Sequence, residues 1–131
     1  MKNHLQQIFL GLMLLTFLQA CVQQEHAKTV TFKVDMNGIT NVANVGLRGQ
    51  FTSPSWQVTI PMTDTDGDGI YEVTLEEKTA QNSVSFKFVN QSDQVELACQ
   101  ENRRITFDYR PETIEYSAVF DSAESGIQTH N

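Results

Sequence analysis

Three aspartates at alternate positions could bind a divalent cation. Asp64, Asp66 and Asp68, with a glycine directly after them, match the first half of an EF-hand-type calcium loop, in which oxygen ligands alternate along the chain. The bidentate glutamate that closes such a loop is replaced by Leu75, and the residues that follow alternate like a strand rather than a helix. The segment therefore has two open interpretations: a calcium site, or a metal-free turn built from aspartate and glycine.

A cysteine near the amino end could carry a covalent lipid. Residues 1–20 begin with a short positive region and continue as an apolar run that is too short to span a bilayer. The run ends in LQAC at 18–21, which resembles a bacterial lipobox. We therefore predict a cleaved lipoprotein signal peptide over 1–20, lipidation of Cys21 (palmitate), and a polar spacer over 21–27. A valine rather than an aspartate follows Cys21, which favours the outer membrane within the cell envelope; an ordinary secretory signal is the alternative.

The second cysteine, Cys99, has no intrachain disulfide partner if a lipid occupies Cys21. Without such a partner, and without a nearby histidine to activate its thiol, we expect Cys99 to be a small buried apolar residue. If Cys21 is not lipidated, a disulfide between the two cysteines is the alternative.

Charge and histidine placement argue against two classes of function. The net charge is −7 at pH 7, which is unfavourable for binding nucleic acid or anionic lipid headgroups, because both are negatively charged. Membrane contact is therefore expected through the lipid alone. His4, His26 and His130 lie near the ends of the chain, so none is placed as a general base within the domain. We predict a protein that is not an enzyme and has no cofactor, apart from the calcium candidate.

The rest of the chain alternates like a series of short strands. Apolar residues recur at every second position in segments that are separated by polar or glycine-rich turns. The segments cover 28–36, 45–51, 56–62, 70–76, 84–88, 95–98, 105–109 and 114–120. We predict that 56–62 and 70–76 pair as a hairpin around the Asp/Gly segment. The pattern predicts an all-β domain over 28–120, a sandwich of seven or eight strands with a barrel as the alternative, followed by a polar tail over 121–131.

Several short motifs, taken in order, resemble one family. They are TFKVDM at 31–36, LRGQF at 47–51, PMTD at 61–64, DGDG at 66–69, YEVTL at 71–75, FKFVN at 86–90 and ENRR at 101–104. In this order and spacing they resemble the starch- and glycogen-binding immunoglobulin-like modules, the early-set sandwiches related to carbohydrate-binding families 20 and 48. The resemblance covers about 28–120 and implies an immunoglobulin-like antiparallel β-sandwich.

The resemblance also implies a binding site. In the glycan-binding members, an aromatic residue after the Gly-x-Phe turn forms a platform for a sugar ring, and a lysine in the following Phe-Lys-Phe strand reaches sugar hydroxyls. Trp56 and Lys87 occupy these positions, with Asn90 as a further candidate, whereas the second aromatic of the family is absent. We therefore expect a monomeric lipoprotein that binds α-glucan, as polysaccharide or oligosaccharide. The alternative is an envelope structural or protein-interaction lipoprotein that keeps the sandwich and has lost sugar binding.

Overall fold

The computed structural model describes residues 1–15 and 21–131. These residues contain one helix, α1 (Lys2–Leu15), nine strands, and a 3-10 turn at Ala123–Ser125. The strands are β1 (His26–Asp35), β2 (Gly46–Gly49), β3 (Ile60–Pro61), β4 (Ile70–Thr79), β5 (Ser83–Asn90), β6 (Gln94–Val95), β7 (Arg103–Thr106), β8 (Glu112–Val119) and β9 (Ile127–His130).

The strands form two sheets that share one core. The first sheet has the order β4-β1-β8-β9, and the second has the order β3-β2-β5, with both β6 and β7 paired to β5. Phe32 of the first sheet meets Phe86 of the second edge to face, with ring centroids 4.9 Å apart. The predicted all-β sandwich is confirmed, with nine strands in the described residues where seven or eight were expected.

Strand β1 shows how the sequence pattern becomes a buried face. Val30, Phe32 and Val34 are at most 5% exposed, while the threonine and lysine residues between them are half exposed. The strand is central in its sheet, antiparallel to β4 and parallel to β8. The parallel pair departs from the predicted antiparallel arrangement. Alternation cannot reveal this, because side chains alternate with the same period in parallel and antiparallel strands.

The predicted hairpin around the Asp/Gly segment is wrong. Strand β3 pairs with β2 in the second sheet, whereas β4 pairs with β1 in the first. Within the described residues, the two segments are joined by an isolated β-bridge between Thr63 and Glu72. Residues 64–69 therefore cross from one sheet to the other. Residues 56–59, also predicted as strand, lie in the loop before β3.

The segment predicted as a polar tail, 121–131, adds a strand to the sandwich. Strand β9 pairs antiparallel with β8. The side chain of Gln128 also links β9 to β7, since its Oε1 accepts from the Thr106 N–H at 3.1 Å and its Nε2 donates to the Thr106 carbonyl at 2.8 Å. This segment is short and polar, so its sequence carries too few alternating apolar residues to predict a strand.

Helix α1 covers most of the predicted signal peptide. Lipobox positions 18–20 lie outside the described residues, and Cys21 is exposed. In the described part of the chain, no helix combines the length and the hydropathy that crossing a membrane requires. Signal cleavage and lipidation of Cys21 therefore stay predictions.

Candidate functional site

Trp56 lies in the loop between β2 and β3, and hydrogen bonds fix its backbone. Its N–H donates to the Gly49 carbonyl at 3.0 Å and to Thr52 Oγ1 at 2.8 Å. Its φ of 65° lies in the left-handed region, which bulky residues rarely adopt. The indole is half exposed and does not belong to the described core cluster. The loop therefore holds one aromatic ring in a defined place at the surface.

Lys87 is buried rather than free to meet a ligand. It is 8% exposed, and its Nζ donates to the carbonyls of Leu97 at 2.7 Å and Gln100 at 3.0 Å. These bonds hold the loop after β6 against the outer face of β5. Because an ammonium has three donors, one remains for another partner. Cys99 lies in the same loop and is exposed, so the expectation of a buried Cys99 is wrong.

Asn90 is fully buried, and its amide connects two loops. Oδ1 accepts from the Ala43 N–H at 3.1 Å, and Nδ2 lies 3.4 Å from both the Asn41 carbonyl and Gln94 Oε1. All of these partners belong to the protein itself. The side chain therefore fixes the turn after β5 against the loop before β2. A direct role for Asn90 in sugar binding stays a prediction.

Arg48, which the sequence-based site did not include, lies on β2 and contacts the segment that contains Trp56 through Thr59. It precedes Gly49, which anchors Trp56, and it pairs directly with Lys87 across β2 and β5 on the outer face of the second sheet. Its Nε donates to Thr59 Oγ1 at 2.6 Å, and its Nη2 donates to a loop carbonyl at 2.8 Å. The strand register could have indicated Arg48, because it places Arg48 and Lys87 on one face.

The aspartates of residues 64–69 accept hydrogen bonds from their own loop. Asp64 Oδ1 accepts from the N–H groups of Gly67 at 2.8 Å and Asp68 at 3.2 Å, and Oδ2 accepts from Gly69 at 2.9 Å. Desolvation opposes these bonds, but their sum holds the pKa of Asp64 below its ordinary value. The amide of Asp68 lowers the pKa of Asp66, yet desolvation and the neighbouring carboxylates raise it overall. Asp64 is therefore satisfied by backbone donors of its own loop, whereas Asp66 keeps the repulsion of neighbouring carboxylates.

Calcium is expected to leave the melting temperature of the protein unchanged. The carboxylate oxygens of Asp64, Asp66 and Asp68 come within 4.8 Å of one another, which is close enough for a shared ion. Calcium would nevertheless need about six to eight oxygen ligands, and Asp64 already accepts three amides. The measurement is thermal unfolding of chelator-treated protein with and without millimolar calcium. A rise in melting temperature that Asp64→Asn abolishes would establish the calcium site instead.

A second group of possible ligands consists of Asp108, Glu112 and His130, whose ligand atoms also lie within 4.8 Å of one another. The amide of Gln128 is oriented by Thr106, so its Nε2 is a donor, and it lies 3.2 Å from His130 Nε2. The other ring nitrogen, Nδ1, lies 3.1 Å from Glu112 Oε1. This buried carboxylate oxygen has no hydrogen-bond partner within the described residues.

Comparison with known proteins finds distant structural likenesses. No protein-family model matches the chain, and no curated protein matches it. Two solved structures similar to it are the CBM25-1 and CBM25-2 modules of the β/α-amylase from Paenibacillus polymyxa. CBM25-1 is 15% identical with a TM-score of 0.46, covering 80% of this chain and 93% of the module. CBM25-2 is 14% identical with a TM-score of 0.48, covering 81% of this chain and 94% of the module. These similar modules are of carbohydrate-binding family 25, not of families 20 and 48, to which the sequence motifs had been related.

Proposed function

We propose that the chain is a non-catalytic, lipid-anchored module that binds α-glucan at the Trp56 loop. The observation that carries the proposal is the placement of Trp56: its backbone is hydrogen-bonded at two acceptors while its indole is half exposed outside the core cluster. The apolar faces of sugar rings pack on such a surface aromatic.

The polar groups beside this loop can orient a sugar. Arg48 keeps guanidinium N–H donors that the described hydrogen bonds do not use, whereas Lys87 opposite it is buried beneath the loop after β6. Donors of this kind bind sugar hydroxyls while the indole packs against the ring. With a single tryptophan in the chain, we expect weak binding that depends on one side chain.

The anchor proposal places this module at the cell envelope, on the outer membrane. Cys21 is exposed, and the first strand begins soon after it, at His26. The intervening residues touch the domain: Gln23 Nε2 donates to the Ala80 carbonyl at 3.3 Å, and the Gln24 N–H donates to the Tyr109 hydroxyl at 2.8 Å. A lipid on Cys21 would therefore hold the domain close to the membrane surface.

Maltoheptaose is expected to shift the tryptophan fluorescence of the protein in a saturable way, because Trp56 is the sole source of that signal. The protein is studied as the full chain in a detergent that lacks a sugar headgroup, since a maltoside would compete. Calorimetry gives a second readout that does not need the tryptophan. By calorimetry, Trp56→Ala is expected to weaken binding about tenfold or more.

Tyr109→Ala is the matched control, because Tyr109 is an aromatic residue that is 61% exposed elsewhere on the domain. It should bind maltoheptaose like the unaltered protein. Absence of heat and of a fluorescence change at millimolar maltoheptaose would remove soluble α-glucan as the ligand. Equal loss in the two variants would point to damage to the fold rather than to a sugar platform.

A protein-interaction lipoprotein is the second candidate function. This function is favoured because two of the three predicted sugar-binding residues form hydrogen bonds within the protein itself. Lys87 donates to two loop carbonyls, and Asn90 is fully buried with its amide hydrogen-bonded. Under this alternative Trp56 would contact a protein partner, because exposed aromatics serve both kinds of surface.

A further inference from the structure

Strand β4 is a sheet edge with unpaired backbone groups. It pairs with β1 on one side, and on the other side Thr63 and Glu72 exchange both backbone hydrogen bonds, at 2.9 and 3.1 Å. In an antiparallel pair, the backbone groups of alternate residues point to opposite sides. Those of Thr74, Glu76 and Lys78 therefore point away from β1, as those of Glu72 do. Within the described residues, these groups have no hydrogen-bond partner.

An apolar groove lies beside this edge, between the two sheets. Val73 and Leu75 face the core from β4, yet both remain half exposed. Leu75 lines a pocket of about 100 Å³ together with Phe51, Val84 and Phe107. The pocket has room for an aliphatic side chain, which these apolar groups can contact, while Gln50, Glu77 and Gln81 also line the pocket.

The charge around the edge selects for a basic partner. Glu72 and Glu76 are exposed on the outer face of the first sheet, and Glu77 is exposed at the groove. Lys78 is exposed on the same outer face, and Lys33 lies 3.8 Å from Glu72, so the strand carries three glutamates and one lysine and stays acidic. The chain as a whole carries a net charge of −7. Charged residues also protect edge strands from aggregation, but that role needs no groove beside the strand. The acidic edge and the apolar pocket together complement a segment that alternates basic and aliphatic residues.

We propose that an extended, basic segment of a partner protein adds to β4 as an antiparallel strand, continuing the pairing that Thr63 begins. Partner residues opposite Thr74 and Glu76 would exchange backbone hydrogen bonds and place basic side chains on the acidic outer face. The residue between them would place an aliphatic side chain in the groove beside Leu75. A second copy of this chain is the competing occupant, because antiparallel self-pairing about Leu75 would set Glu72 opposite Lys78. Sedimentation distinguishes the two occupants.

This inference does not depend on sugar binding at Trp56. For the alternative function of a protein-interaction lipoprotein, it names a docking surface, the edge of β4, and a partner, a basic extended segment. Loss of sugar binding would leave it standing, and its own failure would leave the Trp56 proposal untouched, because the two sites share no residue.

A fluorescent peptide of alternating lysine and valine, acetylated and amidated, is the probe. We expect saturable binding to the full chain in a neutral detergent, read by fluorescence anisotropy. Hydrogen exchange at the amides of Thr74, Glu76 and Lys78 should slow when the peptide binds. A peptide of the same composition, with its lysines and valines in separate blocks, should bind at least about tenfold more weakly, because only alternation places the two kinds of side chain on opposite faces.

Glu76→Pro removes one outward N–H without removing a bond to β1, and edge strands accept proline at such a position. It should weaken peptide binding about tenfold, by loss of that hydrogen bond and of the charge. Glu115→Gln is the matched control, because Glu115 lies on the same outer face but on β8, which is paired on both sides. The control should bind like the unaltered protein.

Three results would overturn the proposal. The first is no saturable binding of the alternating peptide. The second is binding that leaves exchange at Thr74, Glu76 and Lys78 unchanged, which would be general attraction to an acidic surface. The third is protection of these amides without peptide, together with self-association in sedimentation, which would make a second copy the occupant. If Glu76→Pro does not fold, the exchange measurement on the unaltered chain still decides the question.

Discussion

Replacing Glu96 with alanine is expected to lower the free energy of unfolding by about 3–5 kcal/mol, because it leaves the charge of Arg103 buried without its partner. Glu96 and Arg103 are 2% and 4% exposed. They form a bidentate pair, with Arg103 Nε 2.7 Å from Oε1 and Nη2 2.9 Å from Oε2. The carboxylate also accepts from the backbone N–H groups of Phe88 at 2.9 Å and Asp121 at 3.0 Å. Alanine would leave these donors unpaired as well.

Denaturant unfolding measures this effect, with Glu101→Ala as the matched control. Glu101 is an exposed carboxylate shortly before Arg103, so its removal should change the free energy of unfolding by no more than about 0.5 kcal/mol. Replacing both Glu96 and Arg103 with leucine should cost less than Glu96→Ala, because no buried charge remains unpaired. A cost below about 1 kcal/mol for Glu96→Ala would contradict the structure, since that value belongs to exposed pairs.

The sandwich could be predicted because its long strands bury one face. In β1, β5 and β8, apolar residues recur at every second position, and the structure buries them in one core. Strand pairing could not be predicted in the same way. The Asp/Gly segment has the composition of a hairpin turn, yet it connects two sheets, because β3 finds its partner in β2. A turn sequence fixes the local chain reversal but not the strand that each arm will meet.

The burial of polar residues is the second feature that could not be predicted from the sequence. Glu96, Lys87 and Asn90 lie at positions where a pattern of alternation predicts contact with solvent or gives no preference. Each is buried because a partner distant in sequence satisfies it: Arg103 for Glu96, the Leu97 carbonyl for Lys87, and the Ala43 N–H for Asn90. Composition does not show which polar groups will find such partners. The motif ENRR at 101–104, which entered the sequence analysis only as part of the family resemblance, supplies the buried arginine.

The candidate site could be predicted only in part, because the sequence does not show which of its polar residues the fold buries. The resemblance indicated Trp56, and the structure places its indole at the surface on a hydrogen-bonded loop. The resemblance also indicated Lys87. The sequence of its strand does not predict that the loop after β6 covers this side chain. In that loop, Leu97 and Cys99 have left-handed backbone conformations. Such conformations are rare for residues other than glycine and are therefore not predicted from the sequence. A lysine that is predicted to contact a ligand can therefore be used by the fold itself.

Lys28→Met should destabilise the protein by about 3–5 kcal/mol, because it removes a buried charge from a buried partner. Lys33, at the surface of the same strand, does not share this reason. Lys28 is 4% exposed, and its Nζ donates to the carbonyls of Asp108 and Arg110, both at 2.6 Å. It also donates to Glu112 Oε2 at 2.5 Å, and the Glu112 side chain is 2% exposed. Methionine keeps most of the apolar stem. The loss therefore measures two carbonyls left without this donor and a buried carboxylate left without its cation, although the Asp108 N–H still donates to Glu112 Oε2 at 3.0 Å.

Lys33→Met provides the comparison on the same strand, with the same change of charge. The Lys33 side chain is 32% exposed, and its Nζ lies 3.0 Å from a carboxylate oxygen of Glu115 and 3.8 Å from one of Glu72. Solvent screens these pairs, so the expected cost is at most about 1 kcal/mol. Denaturant unfolding of the two variants separates burial from pairing, because both lysines have glutamate partners and only one is enclosed. Equal costs would mean that enclosure adds nothing at Lys28, whereas a larger cost at Lys28 would show that the carboxylate of Glu112 depends on it.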